Sequence, residues 1–478
     1  MIKRTDSVRG GVNEVRNRLL KAAAVIVALL IWQIAAFLIN QLILLVSPVE
    51  VAAELLYQVV RADFWLTVWF SLRRIFLGFF IALAAGVLLA ALSYRFNVFK
   101  VMIRPYISVV KSAPVASIII LILIFLSSRN LSVFVSFLIV LPVVYANTLE
   151  GLVHSDKKLV EMADVFHAGM FKRIRFIYVP QLRPYLISAC TAAIGMSWKA
   201  GTAAEVIGIP KGSIGERLYE AKIYLSSREL FAWTAVIIAL SLIVEKIVIL
   251  LIRKAYGALV SSNPGSGDTA KGPGIRTGRS IGRAMAVCVI DLKMSFGANI
   301  VMNDTNMVFA EGKRTVLMGE SGCGKTTLLR ILMGVETPDS GEIRGVPEYV
   351  SAVFQENRLF EEFSAVSNIA FAAEKGIKKE AIIEHLEEVG LRESAYQRVS
   401  EMSGGMKRRV AIVRAVLAKK GLLLLDEPLK GLDDLNRERV AAYIRRHSEG
   451  ITSIIVTHDA DDVRLMDADL IRMGENEK

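Results

Sequence analysis

Hydrophobic positions divide the chain into two regimes. Before about residue 257 they come in blocks roughly 20 residues long, the length at which a helix rising about 1.5 Å per residue crosses a bilayer core. Six blocks are expected to span: Leu20–Leu45, Phe76–Leu92, Tyr106–Leu126, Leu131–Leu152, Tyr185–Gly208 and Leu230–Ile252. Residues 62–75 (ADFWLTVWFSLRRI) are amphipathic, which predicts an interfacial helix ahead of the second span. From Ala286 the pattern shortens to β-runs alternating with amphipathic helices, as in a parallel α/β domain. Between the two regimes, residues 261–283 are rich in Gly, Ser and Pro and have no periodicity. The expected organisation is a membrane domain over 1–256, a flexible linker over 257–284 and an α/β domain over 285–478.

Composition agrees with a chain that occupies two solvents. Of the 478 residues, 53% are hydrophobic, and the mean hydropathy is +0.46. The net charge of +12 comes largely from Lys and Arg beside the apolar blocks, so nucleic acid is not expected as a partner. Lys3, Arg4, Arg9, Arg16, Arg18, then Arg95, Lys100, Arg104, then Lys157, Lys158, Lys172, Arg173, Arg175, and finally Arg253 and Lys254 all fall on one side of a six-span layout. By the positive-inside rule that side is the cytoplasm, which places the C-terminal domain with it. The first apolar run is too long for a signal-peptide core and lacks a nearby cleavage site, so it is expected to remain as a span. Cys190, Cys288 and Cys323 form no CxxC pair and predict neither a disulfide frame nor a zinc site.

The chemistry lies in the second regime. RTVLM (314–318) reads as a buried strand, followed by GESGCGKTT (319–327) and a helical run. This is the phosphate loop in its strand–loop–helix setting. Gly319, Gly322 and Gly324, with Ser321 and Thr327 in the same loop, allow backbone N–H groups to curl round phosphates. Lys325 reaches the β- and γ-phosphates of ATP, and the Thr326 hydroxyl is a ligand for Mg²⁺. Four leucines at 422–425 predict a strand buried on both faces, delivering Asp426 to Mg²⁺ and Glu427 to the attacking water. A third strand, SIIV (453–456), ends at His458, within reach of the γ-phosphate. Ser403 caps a long basic helix whose first turn holds Gly404 and Gly405, an anion site suited to a second nucleotide.

These residues carry a family resemblance. SGG at 403–405 looks like the signature of ABC ATPases, which completes the ATP site of the opposite subunit; Met402 and Met406 replace its usual Leu and Gln. The resemblance then implies that Gln355 in VFQEN senses Mg²⁺ and water and couples to the membrane half. It also implies that Asp433 is the D-loop aspartate and that Phe296 stacks on adenine, with an ordinary core phenylalanine as the alternative for Phe296. In the membrane half, Glu161 to Pro180 resembles the loop by which bacterial ABC importer permeases dock on their ATPase, with Met162 for an alanine and His167 for a glycine. Residues 45–255 resemble permeases of the nitrate, sulfonate and taurine group, notably SPVEV (47–51) and WKAGTAAEVIG (198–208).

The resemblance implies an α-helical importer permease fused to an α/β P-loop ABC ATPase, using ATP and Mg²⁺ in the cell membrane. It implies a homodimer or a pairing with a similar chain, and an extracytoplasmic solute-binding protein that delivers a small anion such as a sulfonate, taurine or nitrate. An exporter half-transporter is the alternative, disfavoured by the short cytoplasmic loops; a soluble ABC ATPase is disfavoured by six spans, and a dead motor by the intact acidic and basic residues. Within the spans, Lys111 is read as snorkelling. Lys199 and Glu205, on different helix faces, are read either as lining the substrate path or as packing partners of other spans.

Overall fold

The computed structural model describes residues 2–41, 43–261, 286–297, 299–374 and 376–474. The chain forms two compact units. One comprises residues 1–154 and 182–255; the other comprises 155–181 and 256–478. The segment 155–181 therefore packs with the C-terminal unit although the sequence embeds it among the membrane helices. Most of the expected linker 257–284 lies outside the described residues, and its first part is helical to Ser261.

The helices of the first unit run in chain order as α1 (Ile2–Ile39), α2 (Pro48–Val59), α3 (Ala62–Arg95), α4 (Asn97–Ser112), α5 (Val115–Phe125) and α6 (Ser128–Val153). Two short helices in the second unit follow, α7 (Lys157–Val165) and α8 (Met170–Arg173), and the first unit resumes with α9 (Val179–Gly208), α10 (Ile214–Ile223) and α11 (Ser227–Ser261). Among the described residues, α3, α6 and α11 are long and apolar enough to cross a membrane, and α9, which holds the expected span Tyr185–Gly208, is long but not among them. Residues Ala23–Ile39 of α1 form a shorter apolar stretch. That helix stops at Asn40, which adopts φ 43°, a left-handed stop that shortens the expected span Leu20–Leu45.

Two expectations change. Residues 62–75 are not a separate interfacial helix, because α3 runs unbroken over 34 residues and carries the second span. The third expected span is broken: α4 and α5 meet at a 107° bend. Ala113 before Pro114 adopts extended backbone (ψ 132°), which ends α4 there, whereas Pro105, Pro142 and Pro184 are carried inside helices. Elsewhere the sequence cues act locally. Ser47 and Glu50 of the SPVEV segment form a reciprocal capping box around Pro48, which starts α2.

Packing in this unit relies on small residues, as expected where lipid removes the hydrophobic drive between helices. A Cβ on Gly78 of α3 would lie 2.2 Å from the Val133 carbonyl of α6, so only glycine permits that approach. Glu205 is fully buried and accepts a 2.6 Å hydrogen bond from Ser71 Oγ, which itself accepts from the Ile214 N–H at 2.9 Å. The carboxylate thus clasps α3, α9 and the start of α10. Lys199 is exposed on α9.

The second unit is built on two sheets. Strands β1 (Val287–Phe296), β2 (Asn299–Phe309) and β4 (Ser340–Arg344) form an antiparallel sheet in the order β2-β1-β4. Strands β3 (Arg314–Gly319), β5 (Val350–Val353), β6 (Leu422–Asp426), β7 (Thr452–Val456) and β8 (Asp469–Met473) form a parallel sheet in the order β5-β6-β7-β3-β8. β6 and β7 are buried at every position, which is why they read as unbroken apolar runs. Helices α12 (Lys325–Leu332), α13 (Ala365–Ala372), α14 (Lys379–Glu388), α15 (Gly404–Leu417), α16 (Asp434–His447) and α17 (Ala460–Met466) surround the sheets.

Candidate functional site

Because β6, β7 and β3 are adjacent and parallel, the loops after them emerge on one sheet edge. The loop after β3 holds Gly319 to Thr327 and leads into α12. Gly322 and Gly324 adopt φ 90° and 99°, the left-handed backbone the loop needs. Gly319 answers a different constraint: a Cβ there would lie 2.3 Å from the Met473 carbonyl of β8. Lys325 is buried, and its ammonium donates to the carbonyls of Gly319 (2.8 Å) and Glu320 (2.6 Å). Ser321 lies in the loop, exposed, and Thr327 is half-buried in the first turn of α12.

Asp426 closes β6 and bonds to the Thr326 hydroxyl. Burial holds its carboxyl above the usual carboxylate range, while that hydroxyl and Arg408 oppose the shift. Glu427 follows at φ 48°, a backbone conformation rare for a residue with a side chain. Its N–H donates to the Val456 carbonyl of β7 at 2.8 Å. Its carboxylate meets His458 Nε2 at 3.1 Å on one oxygen and Lys430 Nζ on the other. Gln355, just beyond β5, lines a cavity of about 200 Å³ together with Thr326, Asp426, Phe354, Arg358 and Lys158. The structure therefore brings together Lys325, Thr326, Asp426, Glu427, His458 and Gln355.

The remaining expected residues lie on other edges of the unit. Ser403 caps α15 by accepting from the Met406 N–H at 3.4 Å, and Gly404 faces open space. Gly405 approaches Gly431 and Leu432, in the turn that leads to Asp433. Asp433 caps α16 through the Asn436 N–H at 2.9 Å, and Arg409 of α15 also bonds Asn436 at 2.9 Å. Phe296 ends β1 with half its surface exposed, which removes the reading of an ordinary core phenylalanine.

Helix α15 is basic in sequence, but most of it from Arg408 onward is buried. Arg408 and Arg414 are buried. Arg408 donates to the carbonyls of Phe354 (2.6 Å), Glu427 (2.7 Å), Pro428 (3.2 Å) and Asp426, tying β5, β6 and the glutamine loop to α15. Burial pulls its pKa down to about 10 and that of Arg414 to about 9, so both remain charged at neutral pH. Arg414 donates to the carbonyls of Arg358 (2.7 Å) and Asn357 (3.0 Å). A signal was available: the apolar positions 410–413 and 415–417 run all round the helix, so little of its surface is left for solvent.

The segment 155–181 docks on the same edge. Met162 and Ala163 of α7 are fully buried among residues of β1, β3, α12 and β6. Phe176 packs against Phe360, Phe363 and Phe371 at centroid distances of 5.3, 4.6 and 5.4 Å. Glu161 Oε2 lies 3.0 Å from Arg358, beside Gln355, and 3.6 Å from Arg330 on α12. Lys158 pairs with Glu356 at 2.7 Å. A π-helical turn at Ile174–Tyr178 then leads into α9, with Pro180 in the first turn of that helix. Methionine at 162 thus fills a core position, and His167 takes the glycine's place by adopting φ 49°. Its ring is held by the Glu348 carbonyl at 3.1 Å and by Tyr349. A left-handed conformation costs a Cβ about 1–2 kcal/mol. His167→Ala, which keeps the Cβ and loses the ring contacts, should therefore unfold at a lower temperature than His167→Gly, measured by thermal denaturation of the two variants.

Comparison with known proteins places this geometry. Residues 82–261 match the family of binding-protein-dependent transport system inner membrane components, and residues 302–430 match the ABC transporter family. The aliphatic sulfonates import ATP-binding protein SsuB 3 of Paraburkholderia xenovorans LB400 is 41% identical over 184 residues, 37% of this chain and 72% of that protein. The Fe(3+) ions import ATP-binding protein FbpC of Agrobacterium fabrum C58 is 38% identical over 204 residues, 39% of this chain and 58% of that protein. Among solved structures, the dimeric MJ0796 bacterial ABC transporter cassette aligns at 24% identity and a TM-score of 0.36, covering 40% of this chain and 97% of that one. The chain belongs to the ABC transporter family. It joins an importer-type permease and an ATP-hydrolysing cassette in one membrane protein, with the cassette in the cytoplasm.

Proposed function

We propose that this chain is one half of a binding-protein-dependent importer in which segment 155–181 carries the state of the ATP site to the membrane helices. The supporting observation is the contact of Glu161 with both Arg358, next to the glutamine loop, and Arg330, on the helix that follows the phosphate loop. Movement of either element on ATP binding changes the footing of this one carboxylate. The buried aromatic cluster around Phe176 holds the segment in place while that happens.

In this reading the phosphate loop and Lys325 hold the ATP phosphates, with Phe296 against the adenine. Glu427 takes the proton of the attacking water, its carboxylate aimed by His458, and His458 also contacts the γ-phosphate. The oxygen donors gathered at Thr326, Asp426 and Gln355 fit a small hard cation such as Mg²⁺. Bound there, Mg²⁺ would supply charge neutralisation of the β- and γ-phosphates. Ser403, Gly404 and Gly405 present an open helix N-terminus to the nucleotide of a second cassette, with Asp433 beside them, so the working unit is a pair of such chains, two copies or two similar chains. The substrate is a small anion such as a sulfonate, taurine or nitrate, handed over by an extracytoplasmic solute-binding protein. That class is supported by the sulfonate-import name of a relative 41% identical to the cassette.

Glu161→Arg tests the coupling. Losing a charge-assisted hydrogen bond costs about 1.5–3 kcal/mol, and this pair is partly buried. The variant in lipid nanodiscs should keep its basal ATPase but lose most of the stimulation given by a loaded binding protein. Stimulation equal to wild type would remove Glu161 from the coupling path.

A further inference from the structure

Helix α14 and the last turn of α16 meet at a cluster with no role in the account above. His385 and Glu388 are three residues apart and share a face of α14. His447 ends α16 and faces them. His447 Nε2 lies 3.1 and 3.0 Å from the two Glu388 oxygens. His385 Nδ1 lies 4.0 Å from Glu388 Oε1, and the two imidazole centroids are 4.6 Å apart. All three residues are half-buried, and one ligand atom from each lies within 4.8 Å of the others.

We propose that His385, Glu388 and His447 form a binding site for one Zn²⁺ ion, bridging α14 and α16. The donor set suits the ion: two imidazoles and a carboxylate, with a fourth tetrahedral position open to water. Tetrahedral zinc with bonds of about 2.0–2.1 Å places its ligands roughly 3.3 Å apart. The His447–Glu388 spacing already matches. The His385–Glu388 spacing requires a shift of less than about 1 Å, within the reach of side-chain rotation.

Arg446, also on α16, donates to Glu388 Oε2 at 2.9 Å and holds the carboxylate against that helix. The Tyr443 hydroxyl lies 2.9 Å from His385 Nδ1, the nitrogen that faces Glu388, and zinc binding breaks that hydrogen bond.

The test uses the full chain in lipid nanodiscs, stripped with a chelator, exposed to ZnCl₂ in excess Mg²⁺ and desalted before elemental analysis. One equivalent of zinc should remain on the wild type and on His154→Ala, and none on His447→Ala or His385→Gln. Cobalt in place of zinc should give the intense visible bands of a tetrahedral site, absent from the same two variants. A wild type that retains no zinc, or variants that retain as much as the wild type, would overturn the site. If His447→Ala does not fold, His385→Gln and the wild-type stoichiometry decide the question.

Discussion

Replacing Glu427 by glutamine is expected to lower ATP turnover by roughly 10²–10⁴-fold, the usual contribution of a positioned general base. Glutamine has the same shape and can still hydrogen-bond His458, so the geometry at 3.1 Å is retained while the proton acceptor is lost. The backbone at φ 48° is set by the chain and not by the carboxylate, because the Glu427 N–H remains tied to Val456. ATP affinity should be close to wild type, since the phosphates are held by the loop after β3. The check is single-turnover hydrolysis beside nucleotide binding on the same preparation. Equal losses of both would mean that the substitution disturbed the site as a whole.

Replacing Arg408 by alanine is expected to have the largest effect on stability. The guanidinium fills the hydrogen-bonding needs of four buried carbonyls on two segments, that of Phe354 and those of Asp426, Glu427 and Pro428. Removing it leaves several acceptors unpaired, each costing about 1–3 kcal/mol where water cannot enter, and opens a cavity. A total near 4 kcal/mol is about 8–16 °C of melting temperature for a domain of this size. Lysine should not rescue, because one ammonium cannot reach the carbonyls a planar fork reaches. Differential scanning of the alanine and lysine variants checks this. A shift of only a degree or two would show that water replaces the side chain.

The phosphate loop, the Asp426–Glu427 pair and His458 were readable because local pattern dictates them: apolar runs buried on both faces, each ending in polar residues on one edge. The docking segment was readable by its likeness to importer permeases, and its two departures proved to be a filled core position at Met162 and a left-handed turn at His167. The burial of Arg408 and Arg414 was not read, because their acceptors are backbone carbonyls about 20–60 residues away in sequence. The partners of Glu161 are about 170–200 residues away in sequence, a distance across which periodicity carries no information. The break was marked by Lys111, Ser112 and Pro114 in the middle of the expected span, and the apolar run from Val115 to Phe125 drew attention away from them.

The most direct test of the central claim is ATPase activity of the chain in lipid nanodiscs with candidate solute-binding proteins, each loaded with a sulfonate, taurine or nitrate. The account predicts Glu427-dependent hydrolysis that rises with one loaded binding protein and not with its empty form. Glu427-dependent hydrolysis that ignores every binding protein and rises instead with hydrophobic compounds would contradict the importer reading and restore the exporter alternative.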